Sequence, residues 1–196
     1  WHIVNATPAG HPMHMHGMHY RVAGIADDSG YRRIPPGQQR EVVTERVGSG
    51  RTMTLEFEAK NAGNWLFHCH IVAHVDPAGM YSVRGEVERE YDHFEEMHMS
   101  GMALGIRAHG SDKYDTDDRP TRFLTMTLNH EDAYFGENRG ISIAFNDPGS
   151  SHNAPVAPGP PLFLERDELV SIEVINNLRE PTSIHWHGME LKSYYD

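Results

Sequence analysis

The stretch NWLFHCHIVAHVDPAGM, residues 64–80, holds the chain's only cysteine, Cys69, with His68 and His70 on either side, His74 four residues further on, and Met80 at its end. The run NAGNWLFHCH reads as a strand, and on an extended chain successive side chains point to opposite faces. The sulfur of Cys69 therefore points one way and the imidazoles of His68 and His70 the other. On a strand such a tripeptide can present donor groups to two sites at once.

The rest of the chain reads the same way. In RTMTLEFEA, Met53, Leu55 and Phe57 share one face while Thr52, Thr54, Glu56 and Glu58 share the other, the period of a half-buried strand. Val170, Ile172 and Val174 alternate likewise with Ser171 and Glu173, and ISIAFND from Ile141 and RFLTMTL from Arg122 add two more. Turn residues in PPGQ, GSG, NDPGSS and APGPP separate them. Short, evenly spaced strands predict an all-β fold, a β-sandwich. With 18 Gly, 12 Pro and 38% hydrophobic residues among 196, the composition suits a loop-rich β protein. No apolar run approaches the ~20 residues of a membrane span. The net charge of −11 argues against a nucleic-acid partner, which requires a basic face.

WHIVNAT reads as a strand already under way, and the chain stops at KSYYD directly after a dense motif. Both ends are expected to be cut, making the chain a fragment that covers parts of two domains. The acidic, proline-ended SDKYDTDDRP has the composition of a linker. It places a first domain at residues 1–110, the linker at 111–120, and the N-terminal part of a second domain at 121–196. Residues 84–96, RGEVEREYDHFEE, read as a solvated insertion.

Fifteen of the residues are histidine, and three tight clusters hold most of the informative ones. GHPMHMHG carries His11, His14 and His16; the opening stretch carries His68, His70 and His74; SIHWHG carries His185 and His187. On a strand, each His-X-His doublet presents two imidazoles side by side, which is a metal-binding geometry. Imidazole alone suits several metals, but a single thiolate joined by two imidazoles and a weak thioether is the ligand set of a blue-copper site. Cys69 and His74 can supply two of these ligands from one loop, His11 a third from another, and a methionine the fourth.

HPMHMHG, HCHIVAHVDPAGM and HWHGME resemble the copper motifs of the multicopper oxidases, the laccase-like family built from cupredoxin domains. With NAGNWLFHCH and GPPLFLERDELVSIEVINNL, the resemblance covers most of the chain. It implies Greek-key, cupredoxin-like sandwiches in which a type 1 copper takes electrons one at a time from a reducing substrate and a cluster of three further coppers reduces dioxygen to water. Carried over, it assigns His11, Cys69 and His74 to type 1 copper, His14 and His185 to the type 2 ion, and His16, His68, His70 and His187 to the type 3 pair. That makes six cluster ligands where the family uses eight. The other two are expected from a fourth His-X-His doublet, in missing chain segments or a second chain. HCH precedes HWHG here, which resembles a rearranged subgroup with the type 1 domain upstream.

The axial ligand has two candidates. Gly79-Met80 falls one residue later than the family places it, whereas Gly101-Met102 runs directly into an apolar strand, so Met102 is favoured over Met80. The remaining methionines, Met13, Met15 and Met18 among them, read mainly as packing residues. Reduction of dioxygen consumes protons, and Asp196, nine residues after His187, and Asp76, two after His74, stand where the family carries acids near its coppers. The expected partners are a small-molecule or metal-ion reductant and dioxygen, and the expected location is periplasmic or extracellular. The alternative function is a non-catalytic copper-binding or electron-transfer cupredoxin, which needs no doublets; a zinc hydrolase leaves Cys69 unexplained.

Overall fold

The alternation in RTMTLEFEA buries Met53 and Leu55, and the strand they form lies inside a sheet. The computed structural model describes residues 1–75, 101–110, 119–135, 138–147, 156 and 159–190. Asp76, Met80, Asp196, the insertion at 84–96 and most of the expected linker lie outside them. The described residues form two compact units, Trp1–Lys113 with Ile184–Asp196, and Tyr114–Ser183.

The first unit is a sandwich of two antiparallel sheets. One runs β1 (His2–Val4), β7 (Thr52–Phe57), β3 (Tyr20–Asp27), β4 (Gly30–Arg33), with β5 (Glu41–Val42) also paired to β3. The other runs β6 (Thr44–Val47), β2 (His11–Met15), β8 (Gly63–Cys69), β9 (Ala103–Ala108). The chain passes repeatedly from one sheet to the other, as in a Greek-key sandwich. Tyr20, Val22, Met53 and Leu55 from the first sheet share one core cluster with Met15, Val47, Trp65 and Phe67 from the second. Burying each such side chain contributes roughly 1.5–3 kcal/mol. After β8 the chain makes a single helical turn, α1 (Val72–Val75).

Gly17 closes the first histidine motif for two reasons. Its φ is +64°, and a Cβ there would stand 2.2 Å from the Trp65 ring. Only glycine meets both the backbone conformation and the close approach.

In the second unit β10 (Arg122–Phe135) pairs antiparallel with β11 (Asn138–Asn146) and parallel with β12 (Val170–Asn176). Leu124, Met126, Leu128 and Phe145 are buried. The alternation expected along β12 is not matched by burial, since Val174 is 42% exposed. A pattern sets which side chains share a face; burial also needs a covering layer. β12 pairs only with β10 among the described residues.

The segment Ile184–Asp196, placed by composition at the end of a second domain, groups with the first unit. His185 and His187 pack there against the rings of His14 and His16. Among the described residues no helix is long and apolar enough to cross a membrane.

Candidate metal centre

Strand parity organises the histidines. Register pairs Met13 with Cys69, His14 with His68 and Met15 with Phe67 across β2 and β8. Odd-numbered residues of both strands, Met15, Trp65 and Phe67 among them, face the core. His11 and Cys69 share that parity, and His14, His16, His68 and His70 take the other. His70 lies just beyond the end of β8, but its N–H donates to the Pro12 carbonyl at 2.7 Å and keeps it in line with β2.

On the sulfur face, Cys69 Sγ lies 3.7 Å from His11 Nδ1 and 3.5 Å from His74 Nδ1, and the two nitrogens are 3.1 Å apart. These spacings suit three donors sharing one ion at bonds of about 2.0–2.3 Å. All three residues are buried. Burial pushes both imidazoles below their usual range, for His11 with a further push from His74. Neutral imidazole is the ligand form. Burial also pushes the Cys69 thiol up, so the thiolate needs a cation beside it. The donor set fits copper of the blue type. Met102 joins the ends of this loop through its backbone: its carbonyl accepts from Cys69 N–H at 3.0 Å, and its N–H donates to the His74 carbonyl at 2.9 Å.

On the imidazole face, His16 Nε2 and His68 Nε2 are 3.0 Å apart, and His14 Nε2 and His185 Nε2 are 3.3 Å apart. His185 Nε2 lies 3.4 Å from His187 Nδ1. Donor atoms of His14, His16 and His68 lie within 4.8 Å of one another, as do those of His14, His185 and His187. His70 lines the same space, its ring 5.4 Å from that of His14 and 5.0 Å from that of His187. All six doublet histidines are therefore brought together.

The second ring nitrogen of two of these residues is already used. His14 Nδ1 lies 2.8 Å from the Val43 carbonyl and 2.9 Å from Thr44 Oγ1. His68 Nδ1 lies 2.7 Å from the Cys69 carbonyl. A carbonyl only accepts, so both Nδ1 atoms carry the proton and both Nε2 atoms turn to their histidine neighbours. Burial pushes His14 down to about 3, reinforced by His187, His16 and His68 and opposed by the Val43 bond. Burial likewise lowers His68. Both rings are thus held toward the neutral form, the form in which imidazole ligates a metal.

The methionines of the first motif pack: Met15 and Met18 belong to the core, and Met13 lies against it. Two contacts escape a motif reading. Glu190 Oε1 lies 2.9 Å from His19 Nδ1 and 3.4 Å from Lys60 Nζ, tying the HWHG segment to β3's approach and the β7–β8 loop. Thr7 Oγ1 lies 2.6 Å from His11 Nε2. The first joins residues far apart in the chain and has no local signal; the second joins residues only four apart, and no motif marks it.

Comparison with known proteins points to one family. Two family models, both described as multicopper oxidase, match residues 1–89 and 153–196. Laccase-5 of Trametes villosa is 37% identical over 84 residues, covering 43% of this chain and 15% of its own length. Laccase-9 of Arabidopsis thaliana is 38% identical over 80 residues, covering 38% and 13%. The chain thus spans about a seventh of the length of such relatives. A solved multicopper oxidase of Campylobacter jejuni aligns with 16% identity and a TM-score of 0.36, over 55% of this chain and 17% of that one.

Proposed function

The chain belongs to the multicopper oxidase family, and on that premise we propose that it works as a laccase-like oxidase, coupling oxidation of a small-molecule or metal-ion reductant to reduction of dioxygen to water. One observation carries this reading: the β2–β8 pair sends His11 and Cys69 to one face and His14, His16, His68 and His70 to the other. An electron-carrying cupredoxin uses the first face and has no use for the second.

Copper, when bound, supplies one-electron redox chemistry on the sulfur face and multi-electron chemistry toward dioxygen on the imidazole face. We assign His11, Cys69, His74 and Met102 to a type 1 ion, His14 and His185 to a type 2 ion, and His16, His68, His70 and His187 to a type 3 pair. The two remaining cluster ligands come from a fourth His-X-His doublet outside these 196 residues, in a missing segment or a second chain. The backbone of Cys69 joins the two faces, since His68 and His70 are its immediate neighbours. Burial of His11, Cys69 and His74 keeps water from the thiolate, and carbonyls on His14 Nδ1 and His68 Nδ1 hold those rings in one tautomer. Each dioxygen takes four electrons and four protons, and we assign proton delivery to Asp76 and Asp196. A periplasmic or extracellular location fits the copper–thiolate chemistry.

Dioxygen uptake by the copper-loaded, full-length protein tests the reading, with phenols, aromatic amines and ferrous, cuprous and manganous ions as reductants. One dioxygen consumed per four electrons is expected with at least one of them. Reduction and reoxidation by partner proteins without dioxygen uptake would favour the electron-transfer cupredoxin.

A further inference from the structure

Backbone carbonyls fix the rings of His14 and His68, but His11 is fixed by side chains. Asn5 is 5% exposed, and its Nδ2 lies 2.7 Å from the Ala9 carbonyl, 3.0 Å from that of Val47 and 2.9 Å from that of Gly48. Three acceptors around one end of the amide settle which end is nitrogen. Asn5 Oδ1 then accepts from Thr7 N–H at 3.0 Å and stands 2.7 Å from Thr7 Oγ1. Neither Oδ1 nor the Ala9 carbonyl, 3.2 Å from Oγ1, has a hydrogen to give, so the Thr7 hydroxyl spends its single hydrogen on that side. Toward His11 Nε2, 2.6 Å away, the same oxygen can only accept. His11 therefore carries its proton on Nε2, and its bare Nδ1 faces Cys69 Sγ and His74 Nδ1.

We propose that Asn5 and Thr7 are positioning residues of the sulfur-face site, holding His11 as the Nε2-protonated tautomer and strengthening Nδ1 as a donor. The proposal rests on the type 1 reading of His11, Cys69 and His74. An acceptor on the far nitrogen orients a metal-binding imidazole and raises its basicity, which favours the cupric over the cuprous state and lowers the reduction potential. Asn5-Ala6-Thr7 also matches the pattern of a glycan acceptor. The burial of Asn5 and the carbonyls around Nδ2 leave no room for a glycan in the folded chain.

Two measurements test this on the full-length protein. In the metal-free form, histidine nitrogen-15 NMR is expected to show His11 protonated at Nε2 and bare at Nδ1; the opposite tautomer overturns the proposal. In the copper-loaded form, Thr7→Val is expected to keep the blue band, raise the potential of that site and weaken copper(II) binding about 10- to 100-fold. Thr7→Ser, which keeps the hydroxyl, is expected to stay near wild type. A Thr7→Val potential equal to wild type, or a Thr7→Ser shift as large as that of Thr7→Val, overturns the proposal. If Thr7→Val does not fold, the nitrogen shifts of the unaltered protein decide. A wild-type protein without a blue band would sink the type 1 reading instead, leaving the tautomer to be judged by NMR.

Discussion

The two faces of the β2–β8 pair are built from neighbouring residues of the same strands, yet they are finished differently. The sulfur face is closed: His11, Cys69 and His74 are all buried and come from one strand pair and the turn that follows it. The imidazole face begins with His14, fully buried, but is completed by exposed His185 and His187 from a segment without regular structure. Parity and register place His11 and Cys69 of the closed site, and the turn after β8 adds His74. An open site depends on how a distant coil is held in place, here by ring contacts and by Glu190 bonded to His19 and Lys60.

The largest effect should come from the residue that joins the two faces. Cys69→Ser is expected to abolish the blue absorption completely, since a hydroxyl does not replace the soft thiolate, while copper remains on the imidazole face. Visible spectra with copper analysis check both halves. His14→Ala should do the reverse. Removing a ligand is expected to cost copper affinity on the imidazole face by at least the roughly 10- to 100-fold that loss of an outer-shell partner costs, with the blue band intact.

Smaller effects refine the contrast. Met102→Leu is expected to raise the potential of the sulfur-face copper without loss of colour, because a weak axial thioether tunes the ion; spectroelectrochemistry reads the shift, and an unchanged potential would turn attention to Met80. Glu190→Gln should have the smallest effect, about 0.2–1 kcal/mol as for other exposed ion pairs. His19 first, and then Lys60, holds the Glu190 carboxyl below its usual range. A carboxyl depressed on folding stabilises above its unfolded pKa of about 4.3 and loses that contribution as pH falls. The gap between wild type and variant in urea unfolding should thus be open at neutral pH and close in acid.

These expectations show what period and spacing reveal and what they do not. The period-two placement of His68, Cys69 and His70 announced two faces, and the alternation of Met53 and Leu55 announced a core strand, because both are properties of one extended chain. Partners were not legible. β1 pairs with β7, some fifty residues downstream, and β12 lies parallel to β10; neither choice leaves a local trace. The contact between Thr7 and His11 was hidden in another way. It turns on the Asn5 amide, whose orientation is set by carbonyls of Val47 and Gly48 that only the folded sandwich brings near.

The central claim is that one strand pair holds two electronically different copper environments. The electron paramagnetic resonance spectrum of the oxidised, copper-loaded, full-length protein addresses it directly. Two cupric signals are predicted: one with the narrow parallel hyperfine splitting of thiolate-bound copper, lost in Cys69→Ser, and one with the wide splitting of imidazole-bound copper, lost in His14→Ala. A single signal that responds to both substitutions would contradict the account.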